Sequence, residues 1–149
     1  MFLQDGKAIV QEQLGNLNVK EVTMRLGERI QTGDWKAEKH VPAIECPDEV
    51  QAGKPFRVTV SVGKGIPHPN TLEHHIRWID VFFQPEGGKF VYQVGHFEFS
   101  AHGEAGGTVQ SNPEATFSMQ VSKPGTIIAL SLCNLHGLWE SSREVKVTG

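Results

Sequence analysis

The sequence predicts an all-β fold, an antiparallel β-sandwich of about seven strands behind an N-terminal extension over residues 1–33. Three observations carry that reading. Short runs rich in β-branched and aromatic residues recur along the chain. Turn signals containing Gly or Pro separate them, drawn from 16 glycines and 8 prolines. No helical crossover pattern lies between successive runs, which removes parallel doubly wound architectures. At 149 residues there is material for one domain, and it is expected at 34–149.

Within residues 1–33, Val10, Leu14 and Leu17 fall at helical spacing, but Gly15, Gly27 and Gly33 interrupt it, so a short helix at most is expected there. The first strand signal is Phe56–Val62, which alternates apolar and polar residues after the turn Ala52-Gly53-Lys54-Pro55. His75–Phe83 is aromatic and β-branched, closed by Gln84-Pro85-Glu86-Gly87-Gly88. Lys89–Phe99 reads as a long strand with Gly95 as a bulge position. Ala115–Val121 alternates again and ends at Lys123-Pro124-Gly125. Thr126–Leu132 is mostly apolar, a buried strand, and Glu144–Thr148 is a short terminal one.

Composition removes several functional classes. The formal charge is −3 with a pI near 6.1, and no basic run occurs, so nucleic-acid binding through phosphate neutralisation is not expected. No stretch reaches the roughly 18 continuous apolar residues of a membrane span. The opening residues MFLQDGKAIVQEQLG lack the charged-then-apolar order of a secretion signal, and a cytoplasmic location is expected. Cys46 and Cys133, far apart in the chain, read as thiols or as one metal ligand rather than a disulfide. Seven histidines are many for this length and point to chemistry.

The unusual residues concentrate in three loops at strand ends: Glu38-Lys39-His40-Val41-Pro42, Pro67-His68-Pro69-Asn70-Thr71-Leu72-Glu73-His74-His75, and Cys133-Asn134-Leu135-His136-Gly137-Leu138-Trp139. Loops at one end of a sandwich converge although they are distant in sequence. Several imidazoles and one thiolate suit zinc, copper or iron, whereas calcium and magnesium require oxygen donors. Structural zinc favours two or more cysteines in a closed tetrahedron. Blue copper needs a weak axial Met beyond the Cys-x-x-His pair, and the last methionine is Met119. An iron site with nitrogen ligands, a thiolate and an open position fits better. A copper electron carrier or a zinc-stabilised binding module is the non-enzymatic alternative.

At these three motifs, in this order and from about Asp34 onward, the sequence resembles the one-iron superoxide reductases of the neelaredoxin type. The resemblance implies an immunoglobulin-like β-sandwich holding one iron per chain. It implies His40, His68, His74 and His136 as planar ligands and Cys133 as the axial thiolate. The sixth position would be open in the ferrous state and taken by Glu38 in the ferric one. His74 rather than His75 is selected by the family spacing from His68; neighbouring strand residues point to opposite faces, so only one of the two can serve. A rubredoxin-like electron donor and a homotetramer are also implied. Residues 1–33 contain no cysteine, so the four-cysteine iron domain of larger relatives is not expected.

The chemistry of the set is consistent with that likeness. Ferrous iron with neutral imidazoles and one thiolate keeps a net positive charge, which attracts the superoxide anion locally. Lys39 adds an ammonium beside the pocket. A thiolate opposite the substrate pushes electron density toward it, favouring reduction to hydrogen peroxide. Glu38 and Lys39 are therefore the catalytic-site candidates beside the metal ligands. His75 is expected to pack or support a ligand, His96 and His102 to be structural or surface residues, and Cys46 to be a plain thiol. Trp78 and Trp139 are expected to pack in the core or site wall, and Asn134 to hydrogen-bond near the sulfur.

Overall fold

The computed structural model describes residues 23–149; the helical spacing at Val10–Leu17 lies outside them. After a single 3-10 turn at Leu26–Glu28 the described residues form eleven strands. They are β1 (Gln31–Thr32), β2 (Ala43–Glu45), β3 (Glu49–Gln51), β4 (Phe56–Ser61), β5 (Ile76–Pro85), β6 (Tyr92–Glu98), β7 (His102–Gly103), β8 (Val109–Gln110), β9 (Glu114–Met119), β10 (Gly125–Cys133) and β11 (Gly137–Thr148). One sheet has the order β1-β11-β10-β5-β6, with β3 also on β11; the second is β2-β4-β9, and β7-β8 form a small ribbon. The long pairs are antiparallel, while the two- and three-residue strands β1 and β3 run parallel to β11. β1 falls within residues 1–33, so the sheet begins before Asp34.

Alternation builds the core between the sheets. Val58 and Val60 of β4 face Ile79 and Val81 of β5 and Ile127 and Ala129 of β10, all fully buried. Each buried Val or Ile contributes roughly 1.5–3 kcal/mol of transfer free energy, so this period-2 pattern fixes which face of each strand turns inward. The β5–β6 register shifts so that Val81 faces Gly95 and Phe82 faces Gln93, leaving Val94 as the extra residue of a bulge. A Cβ on Gly95 would lie 2.8 Å from the Phe97 ring.

Two strand limits differ from the sequence reading. β6 begins at Tyr92, leaving Phe90 and Val91 exposed before it. β11 spans twelve residues rather than the five of Glu144–Thr148, because Gly137–Arg143 pairs along β10 although most of its residues are only half-buried. Consequently Cys133 ends one strand and Gly137 begins the next, directly paired, and the third loop shrinks to Asn134-Leu135-His136.

Candidate metal centre

Three segments meet at one end of the sandwich. The first is a helical turn begun by Asp34, whose Oδ1 accepts from Lys36 N at 3.0 Å and whose carbonyl accepts from Ala37 N and Glu38 N at 2.9 Å. This turn delivers Glu38, Lys39 and His40 in succession. The chain beyond is laid on the large sheet by polar side chains. Buried Ser131 of β10 donates Oγ–H to His40 O at 3.2 Å, Ser141 donates to Pro42 O at 2.6 Å, and Arg143 donates to Ile44 O at 3.0 Å.

The second segment carries His68 and His74 between β4 and β5. Gly63 makes its entry possible: φ is +94° and a Cβ would sit 2.9 Å from His68 N. A tight turn at Thr71–His74 closes it, with His74 N donating to Thr71 Oγ1 at 3.0 Å. The third is the β10–β11 hairpin, where His136 N donates to Cys133 Sγ at 3.4 Å and Gly137 adopts φ +78°.

Together these segments assemble four imidazoles in a ring. Centroids of successive neighbours are 4.9 Å (His40–His68), 4.7 Å (His68–His74), 5.0 Å (His74–His136) and 4.9 Å (His136–His40), each pair edge-to-face. The diagonal His40–His74 is 6.3 Å. In a tetrahedron all separations would be equal, so the four rings stand nearer the corners of a square. Cys133 is buried beside them. Ligand atoms of His40, His68, His74 and Cys133 all lie within 4.8 Å of one another. His136 Nδ1 is 3.2 Å from His40 Nε2 and 3.7 Å from Cys133 Sγ. Metal–nitrogen bonds near 2.1 Å put adjacent ligands about 3 Å apart, so these separations suit a single ion.

Tautomers agree with that use. His68 donates Nδ1–H to Pro69 O at 2.6 Å, and His40 donates Nδ1–H to the Glu38 carboxylate at 2.7 Å, which leaves each Nε2 with its lone pair toward the cluster. Nε2 of His68 and of His74 are buried with no hydrogen-bond partner among the described residues. A buried orphan nitrogen costs free energy unless something binds it, and a cation there satisfies both. Burial pushes His68 down to about 4, and it lowers His74 as well, with the Lys39 charge acting in the same direction on both. Both are therefore neutral donors near neutrality. The donor set and its geometry fit iron better than a closed zinc tetrahedron or a trigonal copper site.

Glu38 is outside the ring of donors. Its carboxylate accepts from His40 Nδ1–H and, at 3.1 Å, from His40 N, and these bonds hold its carboxyl below the usual range. Lys39 is half-buried, and no carboxylate among the described residues pairs with it.

The remaining candidates sort clearly. His75 and His102 are both buried and stacked at 3.6 Å, so His102 is an internal partner of the loop that carries His74. His96 is on the surface between the carboxylates of Asp80 and Glu98. Both cysteines are free, and burial pushes the Cys46 thiol up. Trp139 stacks on His40, whereas Trp78 lies on β5 away from the ring, 6.1 Å from His96. Asn134 makes no bond to sulfur; its amide bonds to Glu73 O and His75 N instead. Ser131 also supports the site, and its signal in the sequence is the lone hydroxyl within the apolar run Ile127–Cys133. No helix among the described residues is long and apolar enough to cross a membrane.

The desulfoferrodoxin family profile matches residues 32–142. The chain is 57% identical over 127 residues to the neelaredoxin of Megalodesulfovibrio gigas, covering 82% of this chain and 98% of that one. It is 53% identical over 121 residues to the superoxide reductase of Pyrococcus furiosus, covering 78% and 95%. The solved structure of the superoxide reductase (neelaredoxin) from Archaeoglobus fulgidus in the reduced form superimposes with a TM-score of 0.72 at 50% identity, covering 79% and 98%. Sequence, fold and the share of each chain that aligns lead to one conclusion: this chain belongs to the desulfoferrodoxin family.

Proposed function

We infer that this chain is a superoxide reductase, with an iron-binding domain that runs from β1 (Gln31–Thr32) to β11 (Gly137–Thr148). The observation that carries the reading is the near-square ring of His40, His68, His74 and His136 with the Cys133 sulfur beside it. These five residues would hold one iron per chain, four through imidazole nitrogen and one through thiolate. Ferrous iron bound there would supply the one electron that, with two protons, converts superoxide to hydrogen peroxide.

The chain's own residues do the rest. The Lys39 ammonium draws the superoxide anion toward a pocket on a protein whose overall charge of −3 repels it. The Glu38 carboxylate holds the outer proton of His40, fixing the tautomer and raising the basicity of that ligand. A hard carboxylate oxygen such as that of Glu38 would favour the oxidised over the reduced metal. The Cys133 sulfur accepts the His136 backbone N–H, which moderates its charge.

Reduction of superoxide consumes an electron each cycle, and we assign its resupply to a rubredoxin-like carrier. We assign a homotetramer on the outer face of the large sheet, where Trp78 and Phe82 of β5 lie beside Leu132 and Ile128 of β10, all still partly exposed in a single copy. Two free thiols accord with a reducing, cytoplasmic setting. The test is metal analysis of untreated protein followed by anaerobic reaction with pulsed superoxide. One iron per chain, a blue ferric form, and one peroxide per superoxide without dioxygen are expected. Zinc or copper at one per chain, with superoxide left unconsumed, would overturn the reading.

A further inference from the structure

We propose that Asn134 is a positioning residue for the centre, clamping the backbone on both sides of His74 to the hairpin that carries Cys133 and His136. The inference rests on the iron-centre reading above. Three hydrogen bonds define the clamp. Asn134 Oδ1 accepts from His75 N at 2.8 Å, Asn134 Nδ2–H donates to Glu73 O at 2.8 Å, and Asn134 N donates to His75 O at 3.1 Å. One residue of the hairpin thus grips both neighbours of His74, about 60 positions away in the chain. Peptide units are planar, so holding the carbonyl before His74 and the amide after it leaves the Cα–Cβ bond of His74 little freedom. That bond aims the ring at the cluster, where its Nε2 is buried and has no protein partner.

The surface against which the clamp closes is rigid. His75 donates Nδ1–H to Thr71 O at 2.9 Å and stacks on His102 at 3.6 Å with planes 7° apart. His102 in turn donates Nδ1–H to Asn70 Oδ1 at 3.1 Å, so the stack is hydrogen-bonded to the loop at both ends. His75 is therefore a buried wedge, and its backbone N–H and C=O both belong to Asn134. The position demands one donor and one acceptor on a short side chain. A serine reaches only one partner, an aspartate lacks the donor, and a glutamine is one methylene too long.

The test measures metal affinity and spectrum rather than turnover. Wild type, Asn134→Ala, Asn134→Ser and Val58→Ala are loaded anaerobically with Co(II), and dissociation constants are taken by chelator competition. Val58 lies fully buried in the opposite sheet and serves as the destabilised reference. Wild type and Val58→Ala should share one affinity and one thiolate-to-cobalt absorption band. Asn134→Ala should bind about 10–100-fold more weakly with a displaced band, and Asn134→Ser should fall between. The Ser variant carries the comparison should the Ala variant not fold. Wild-type affinity and band in an Asn134 variant would overturn the clamp while leaving the iron-centre reading intact. A wild type without a thiolate band overturns both.

Discussion

The indole of Trp139 lies flat against the imidazole of His40, with centroids 4.6 Å apart and planes 14° from parallel. The same indole donates Nε1–H to His136 O at 3.1 Å. One side chain on β11 therefore braces two corners of the histidine ring. Trp139→Ala should lower the stability of the metal-free protein by about 2 kcal/mol, less than for a fully buried Trp because this one is half exposed. Trp139→Phe keeps the stack and loses the hydrogen bond, at a cost of about 1 kcal/mol. Urea unfolding measures both, and release of Co(II) to a chelator should be faster in the order Ala, Phe, wild type. Equal release rates would remove Trp139 from the support of the site.

Two histidines give the metal-free protein opposite pH dependences. Burial holds His68 down to about 4 from an ordinary 6.5, so the folded state binds fewer protons there than the unfolded state. Its contribution is fully present above 6.5 and is lost as pH falls from 6.5 toward about 4. His96 is raised by hydrogen bonds to Glu98 and Asp80, and its contribution is present below 6.5 and lost as pH rises through its elevated value. Melting temperature against pH should therefore fall on both sides. His68→Gln should flatten the acid limb and His96→Gln the limb above 6.5, the latter weakly because the pair is solvent-exposed. An unchanged acid limb in His68→Gln would contradict the burial argument.

Much of the fold is legible in the sequence, and the rest is not for definite physical reasons. β10 is legible as the apolar run Thr126–Leu132, whereas β4 is buried on one face, so Phe56–Ser61 advertises its period. The first half of β11 hides it: Gly137 to Ser141 are all half-buried, and Glu140, Ser141 and Ser142 read as loop. β1 and β3 are too short to carry a period and exist only because β11 offers them an edge. At the site, metal chemistry restricts residue types enough to mark three loops rich in His and Cys, while the choice of His40, His68, His74, His136 and Cys133 among them is what the family resemblance implies. The stacking of His102 on His75 and the grip of Asn134 on Glu73 and His75 join residues far apart in sequence, and no local pattern encodes them.

Lys39 should matter through charge alone. It follows Glu38 and precedes His40, and its ammonium is near enough to lower His68 and His74. Lys39→Met keeps most of the aliphatic stem and removes the cation. The second-order rate of superoxide capture should drop about 10-fold at low ionic strength, and the gap should narrow as salt screens the field. Stopped-flow or pulse-radiolysis rates across a salt series decide this. A variant as fast as wild type at low salt would show that steering comes from elsewhere.

Glu38 offers the sharpest separation between orienting a ligand and meeting the substrate. Its carboxylate is 38% exposed, yet it accepts both the ring N–H and the backbone N–H of His40. Glu38→Ala removes both acceptors and a negative charge next to Lys39. The ferric absorption spectrum should shift, because the basicity of His40 falls and a negative charge beside the centre is lost. Capture of superoxide by the reduced protein should be at least as fast as in wild type, since no like charge then opposes the anion. Glu38→Gln separates the two contributions: its amide oxygen still accepts from His40 while the charge is gone. A spectrum in Glu38→Gln matching wild type, with Glu38→Ala displaced, would assign the effect to the His40 hydrogen bond. Both variants matching wild type would exclude Glu38 from any influence on the centre.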